Sequence, residues 1–112
     1  MKKDNKIFLQ HILDSISDIE KYTEGFSGED FENDIKTQDA VMRKLEIIGE
    51  AVKNLPDSLK NENPEIPWKE IAGTRDVLIH EYFGVDVDIV WNVVKKDIPV
   101  LKEQVERLMK NK

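Results

Sequence analysis

Thr74-Arg75-Asp76-Val77-Leu78-Ile79-His80-Glu81-Tyr82 is the stretch whose reading decides the fold of this chain. Together with the residues before it, it forms an apolar stripe at Trp68, Ile71, Ala72, Leu78, Ile79 and Tyr82, with Arg75 at its centre. The steps of three and four mark one face of a 3.6-residue helix, and at 100° per residue every apolar member falls within roughly 60° of the arginine. A guanidinium keeps its charge, so a place in an apolar stripe demands a partner for it. Five residues further on stands His80, one of two histidines in the chain.

Working outward from this helix, nearly everything else also reads as helix. Residues 4–23 place Phe8, Leu9, Ile12, Leu13, Ile16 and Ile19 on one face, with Asp4 or Asn5 available to cap the start. His11 falls among the polar positions of that helix and reads as a solvated surface residue. Gly25 and Gly28 mark a turn, after which Phe26 and Phe31 can tuck back onto the core. A second long helix is predicted to start between Asp34 and Thr37 and to end before Pro56. Its seam is Val41, Leu45, Ile48, Val52 and Leu55, widened by Ala40, Ile47 and Ala51. Gly49 inside it costs about 1 kcal/mol against alanine, which close approach of another helix would offset.

Residues 56–67 hold Pro56, Pro64 and Pro67 and read as a connector with one short helical turn around Ser58 to Asn61. Pro67 suits the first position of the next helix, and Gly84 is a ready terminator for it near His80 to Phe83. Asp86 is the expected N-cap of a last helix whose seam runs through Ile89, Val90, Val93, Val94, Ile98, Leu101, Val105 and Leu108. Pro99 should kink that helix without breaking it. Strand-type alternation and internal repeats are absent. The expected fold is all-α, an up-and-down bundle of four main helices plus short connecting helices, in a single domain over residues 1–112.

The chain has 112 residues, enough for one modest core, and no cysteine, which excludes disulfides and thiolate metal sites. The basic start, Met1 to Lys6, is followed by Gln10, His11, Asp14 and Ser15, so neither a signal-peptide core nor a membrane span is read there, and a cytoplasmic protein is expected. The net charge of −6 argues against a broad nucleic-acid-binding surface. The charge is uneven: residues 14–40 carry a net −7 and residues 95–112 a net +3. Either run alone reads as a solvated helix face.

Arginine offers an always-charged planar fork that matches two phosphate oxygens, and histidine exchanges protons near neutral pH. Together they suit RNA cleavage by its own 2′-hydroxyl, with the imidazole moving a proton and the arginine stabilising charge at phosphorus. That chemistry needs no metal, and the sequence offers no compact set of ligands for one. Asp76, one turn before His80, is placed to orient its imidazole. On a continuous helix, however, positions five apart differ by about 140°, so Arg75 and His80 would not converge within one molecule. Either the helix unwinds just before His80, or two copies bring paired motifs together across a two-fold axis. The alternative is a buried ion pair of Arg75 with Glu46 or Glu50, with His80 merely ending a helix.

The pattern Arg-x4-His-x-Tyr at Arg75, His80 and Tyr82 resembles the signature of HEPN-domain proteins of the HepT-like toxin family. The likeness extends to Asp39-Ala40-Val41 with Ile47-Ile48-Gly49-Glu50-Ala51, and to Tyr82-Phe83-Gly84-Val85-Asp86, Trp91 and Asp97-Ile98-Pro99-Val100-Leu101, hence to most of the chain. Thr74 departs from it, since a larger apolar residue such as methionine is expected there. The resemblance implies a HEPN bundle, usually a homodimer with both motifs in one cleft. It implies a metal-independent endoribonuclease toxin, with no cofactor of its own, paired with a minimal nucleotidyltransferase antitoxin of the MntA type. By the same likeness Arg75 would hold the scissile phosphate, His80 would be acid–base, Asp76 would support them, and Tyr82 would accept AMP from ATP. Added phosphate beside Arg75 would occupy its anion site and repel RNA. The rival expectation is a non-catalytic helical module that partners a nucleotidyltransferase or binds a nucleotide.

Overall fold

The computed structural model describes residues 3–80 and 86–110, with side chains over 4–74 and 86–110. Four main helices are laid down in sequence: α1 (Lys3–Tyr22), α3 (Ile35–Asn54), α5 (Trp68–His80) and a final rod made of α6 (Val87–Asn92), a π-turn (Val93–Asp97) and α7 (Ile98–Lys110). Two short helices, α2 (Gly28–Glu32) and α4 (Asp57–Glu62), connect them. No strand occurs among the described residues. α3 packs between α1 and α5, and α7 closes back on α1, which gives the expected all-α bundle. No helix of the described residues is long and apolar enough to cross a membrane.

The seams read from periodicity are the core, except at Ile89, expected in the last seam but 61% exposed because α6 turns Val90 rather than Ile89 inward. Leu9, Ile12, Ile16 and Ile19 of α1 are fully buried, as are Val41 and Val52 of α3. Burying such side chains is worth roughly 1.5–3 kcal/mol each against leaving them in water, the main favourable term in a domain of this size. Between α1 and α3, Lys44 Nζ lies 2.9 Å from an Asp18 carboxylate oxygen, and that contact holds the amine above its ordinary pKa. Lys102 Nζ of α7 reaches Glu20 of α1 at 3.1 Å.

Caps account for most helix boundaries. Asp34 accepts a hydrogen bond from the Thr37 N–H at 3.0 Å, which starts α3 and lowers the Asp34 pKa. Ser27 and Asp30 form a reciprocal capping box at the start of α2. Asp86 caps α6 through the Asp88 N–H at 2.8 Å, as expected. Asp4, in contrast, lies inside the first turn of α1, whose helix begins at Lys3. Pro67 sits one residue earlier than its expected position: its carbonyl accepts the Ile71 N–H at 3.1 Å, and α5 begins at Trp68.

Two glycines are required by geometry. Gly25 takes φ +75°, the left-handed conformation that lets the chain leave α1. At Gly28 a Cβ would come within 3.2 Å of the Trp91 Nε1, so the missing side chain is what lets the indole lie against α2. Phe31, fully buried, meets the same ring at a centroid distance of 5.1 Å and a tilt of 32°. Buried Gln38 donates from Nε2 to the carbonyls of Phe31 (2.8 Å) and Glu32 (3.0 Å), satisfying the end of α2 from within α3.

Pro99 neither breaks the last rod nor stands in an ordinary α-turn. Just before it the backbone widens: the Ile98 N–H bonds to the Val93 carbonyl, five residues back. A proline ring clashes with the carbonyl four residues earlier, and the π-turn moves that carbonyl aside. The helix therefore continues through the proline.

Candidate active site

α5 begins from a well-tied base. The Trp68 indole N–H donates to the Asn63 carbonyl at 3.0 Å, and the Asn63 side chain donates to the Leu59 carbonyl at 2.9 Å. Trp68 is buried, and Ile71 and Ala72 pack against the core. This is the first half of the stripe read from the sequence. Position 75 follows Trp68 by two turns and Ile71 by one, so the register carries it along that same side of the helix.

The backbone of α5 is helical through positions 75, 76 and 80, which settles one geometric choice. The helix does not unwind before His80. Positions 75 and 80 therefore stand about 140° apart around one axis, separated by roughly 7.5 Å along it. Position 76 lies one turn below 80, on a neighbouring face. The side chains of Arg75, Asp76 and His80, and Tyr82 altogether, lie outside the described residues. So do Gly84, expected as the terminator, and any ion pair of Arg75.

α3 runs beside α5, and Gly49 is buried within α3. Glu46 and Glu50 sit on the outer half of α3, where Glu46 pairs with Arg43 at 3.3 Å. Across from them on α1, Phe8 and His11 meet edge to face with ring centroids 6.3 Å apart. These residues, with Ile47, Ala51 and Asn54, line a cleft of about 270 Å³. His11 is exposed, as its polar neighbours led us to expect, but it borders a cleft rather than open surface. No periodicity could have announced that, because the cleft exists only once α1 pairs with α3. Thr74, the departure within the motif, bonds from Oγ1 to the Glu70 carbonyl at 3.0 Å, so its hydroxyl is satisfied within its own helix.

A family model described as Ribonuclease HepT-like matches residues 12–108. The chain belongs to the HepT-like ribonuclease family. A "Probable ribonuclease HepT" of Thermococcus cleftensis is 54% identical over 110 residues, covering 98% of this chain and all of that protein. A Methanocaldococcus jannaschii protein named "Gamma-glutamylcyclotransferase and putative RNase MJ0434" is 54% identical over 109 residues, and the chain spans about half, 49%, of its length. A "Putative RNase TTE0752" of Caldanaerobacter subterraneus is 48% identical over 102 residues, 91% of each protein. No solved structure matches the chain. The HepT-like match includes α3, α5 and the whole rod from α6 to Leu108, so the helix bearing Arg75 and His80 falls within it.

Proposed function

We propose that this HepT-like chain is an endoribonuclease that works as a homodimer without a metal. The observation that carries the reading is the unbroken α5, which sets positions 75 and 80 about 140° apart and so favours a site drawn from two copies. In that site one His80 imidazole takes the proton of the 2′-hydroxyl as the 2′-oxygen attacks phosphorus. The same imidazole, now protonated, gives that proton to the departing 5′-oxygen, leaving a 2′,3′-cyclic phosphate and a 5′-hydroxyl end. Arg75 holds two phosphate oxygens and stabilises the charge that builds on them, and Asp76 orients the imidazole. Purified protein is expected to cleave RNA in the presence of EDTA, and its expression to arrest growth, while Arg75→Ala does neither. Cleavage that stops with EDTA and returns with a divalent ion would sink the metal-free reading.

Regulation in this proposal is chemical. A minimal nucleotidyltransferase of the MntA type transfers AMP from ATP to the hydroxyl of Tyr82, releasing pyrophosphate. The added phosphate occupies the anion site of Arg75 and repels RNA, acting as a toxin–antitoxin switch. Incubation with such an enzyme and ATP should add AMP-sized increments to the intact mass, and Tyr82→Phe should remove them. Increments that persist in Tyr82→Phe would move the modification elsewhere. The net charge of −6 favours a second reading, a non-catalytic module that binds a nucleotidyltransferase or a nucleotide. Harmless expression of a well-folded wild type would support it.

A further inference from the structure

An apolar depression lies between α5 and the last rod. It is a groove of about 370 Å³ floored by Leu45 and Ile48 of α3 and by Ile98 and Leu101. One wall is α5, with Glu70, Ile71 and Thr74; the other is the last rod, with Val93, Asp97, Val100 and Gln104. The rod's wall residues recur at steps of four, three and four, a strip of about 16 Å along one side of a helix. Opposite it stand Pro67, just before α5, and Glu70, Ile71 and Thr74 of α5. The rod's strip is as long as a helix of about three turns, the size of element that packs between two such walls. Val100 is 55% exposed at the edge, a large apolar side chain facing solvent.

Charge selects the occupant. The carboxylates of Glu70 and Asp97 stand on opposite walls, and among the described residues no lysine or arginine lines the groove and no ion pair uses either acid. A polyanion such as RNA is repelled there. We propose that the groove receives an amphipathic helix of a partner protein, apolar on the buried side and carrying lysine or arginine to meet Glu70 and Asp97. Position 80 lies about 120° around α5 from Thr74, whereas position 75 lies about 40° from Ile71, so the groove borders the side of the helix that carries position 75 and faces away from position 80. The partner would thus grip the same rigid element that bears Arg75 and His80. That last link rests on the ribonuclease reading; the docking itself does not.

The test uses the full chain and two fluorescein-labelled peptides of about fourteen residues, one with leucine and lysine in helical repeat and one with leucine and glutamate, followed by fluorescence anisotropy at physiological salt. The lysine peptide should bind and the glutamate peptide should not. Val100→Glu, and the double variant Glu70→Lys with Asp97→Lys, should each weaken binding by about tenfold or more. The remote double variant Glu24→Lys with Glu29→Lys makes the same charge change on the acidic segment and should leave binding intact. Equal loss in both double variants would reduce the effect to general charge attraction and overturn the proposal. A drop in solution molar mass on Val100→Glu would overturn it too, by assigning the groove to a second copy. Neither readout depends on RNA cleavage, so a failed ribonuclease reading leaves the peptide result interpretable.

Discussion

Replacing His80 with alanine is expected to slow RNA cleavage about 10²–10⁴-fold, the usual worth of a positioned acid–base group, while the melting temperature stays within a few degrees of wild type. Position 80 is helical, and alanine is the best helix former, so the backbone has no reason to change. Arg75→Ala should lose cleavage comparably. Arg75→Lys should recover only part of it, because an ammonium keeps the charge but not the fork. The strongest check mixes the two inactive variants. If each site takes Arg75 from one chain and His80 from the other, a mixed dimer holds one intact site and one doubly damaged site. An equal mixture should then regain about a quarter of wild-type activity. No recovery in dimers shown to have exchanged would place both residues of a site in one chain and defeat the two-copy arrangement. Full activity in His80→Ala alone would defeat the catalytic assignment.

Phe31→Ala should be the most damaging single truncation outside the long helices, at about 3–5 kcal/mol. The ring is fully buried and tilted against Trp91, and it is the only buried residue of the five-residue α2. A helix that short has no stability of its own, so it holds its place by this anchor and by the Gln38 amide at its end. Against a total of about 5–15 kcal/mol for a domain of this kind, the loss is large. The melting temperature should fall by roughly 10–20 °C, measured by calorimetry or circular dichroism. A fall of only a few degrees would mean that Trp91 collapses into the space and α2 is dispensable. Since α2 packs on α3 and α6, cleavage measured well below the new melting temperature should be little affected.

How much of this was legible beforehand follows from the range of the interactions involved. Seams repeat every three or four residues, so periodicity alone recovered the buried faces of α1, α3 and the last rod. Caps depend on a side chain and a backbone N–H two or three residues apart, so Asp86 could be read in place, while the start of α3 was bounded only to between Asp34 and Thr37. Pro67 was misplaced by one residue because its fixed φ suits either position at a helix start. The buried amide of Gln38 was missed, since its acceptors lie on another helix and nothing near it in sequence marks it as internal. Gly28 was read as a turn residue, whereas its closest constraint is the indole of Trp91, more than sixty residues away in sequence. For the proposed site, the sequence offered candidate residues and the angular conflict between Arg75 and His80. Which of the two resolutions applied depended on whether α5 persists to His80, and helix ends are the least determined feature of any such reading.

The π-turn before Pro99 has a consequence for how one rod serves two neighbours. Its first half, α6, lies against α2, and its second half, α7, lies against α1. The buried positions Val90, Val94, Ile98, Leu101, Val105 and Leu108 advance first by two steps of four and then by alternating threes and fours. In an unbroken α-helix those opening steps would make the apolar edge drift sideways around the cylinder. The wide turn takes up the extra residue, as a slipped tooth lets two gears of different pitch share an axle. A proline that elsewhere ends a helix here marks the place where the rod changes phase and keeps going.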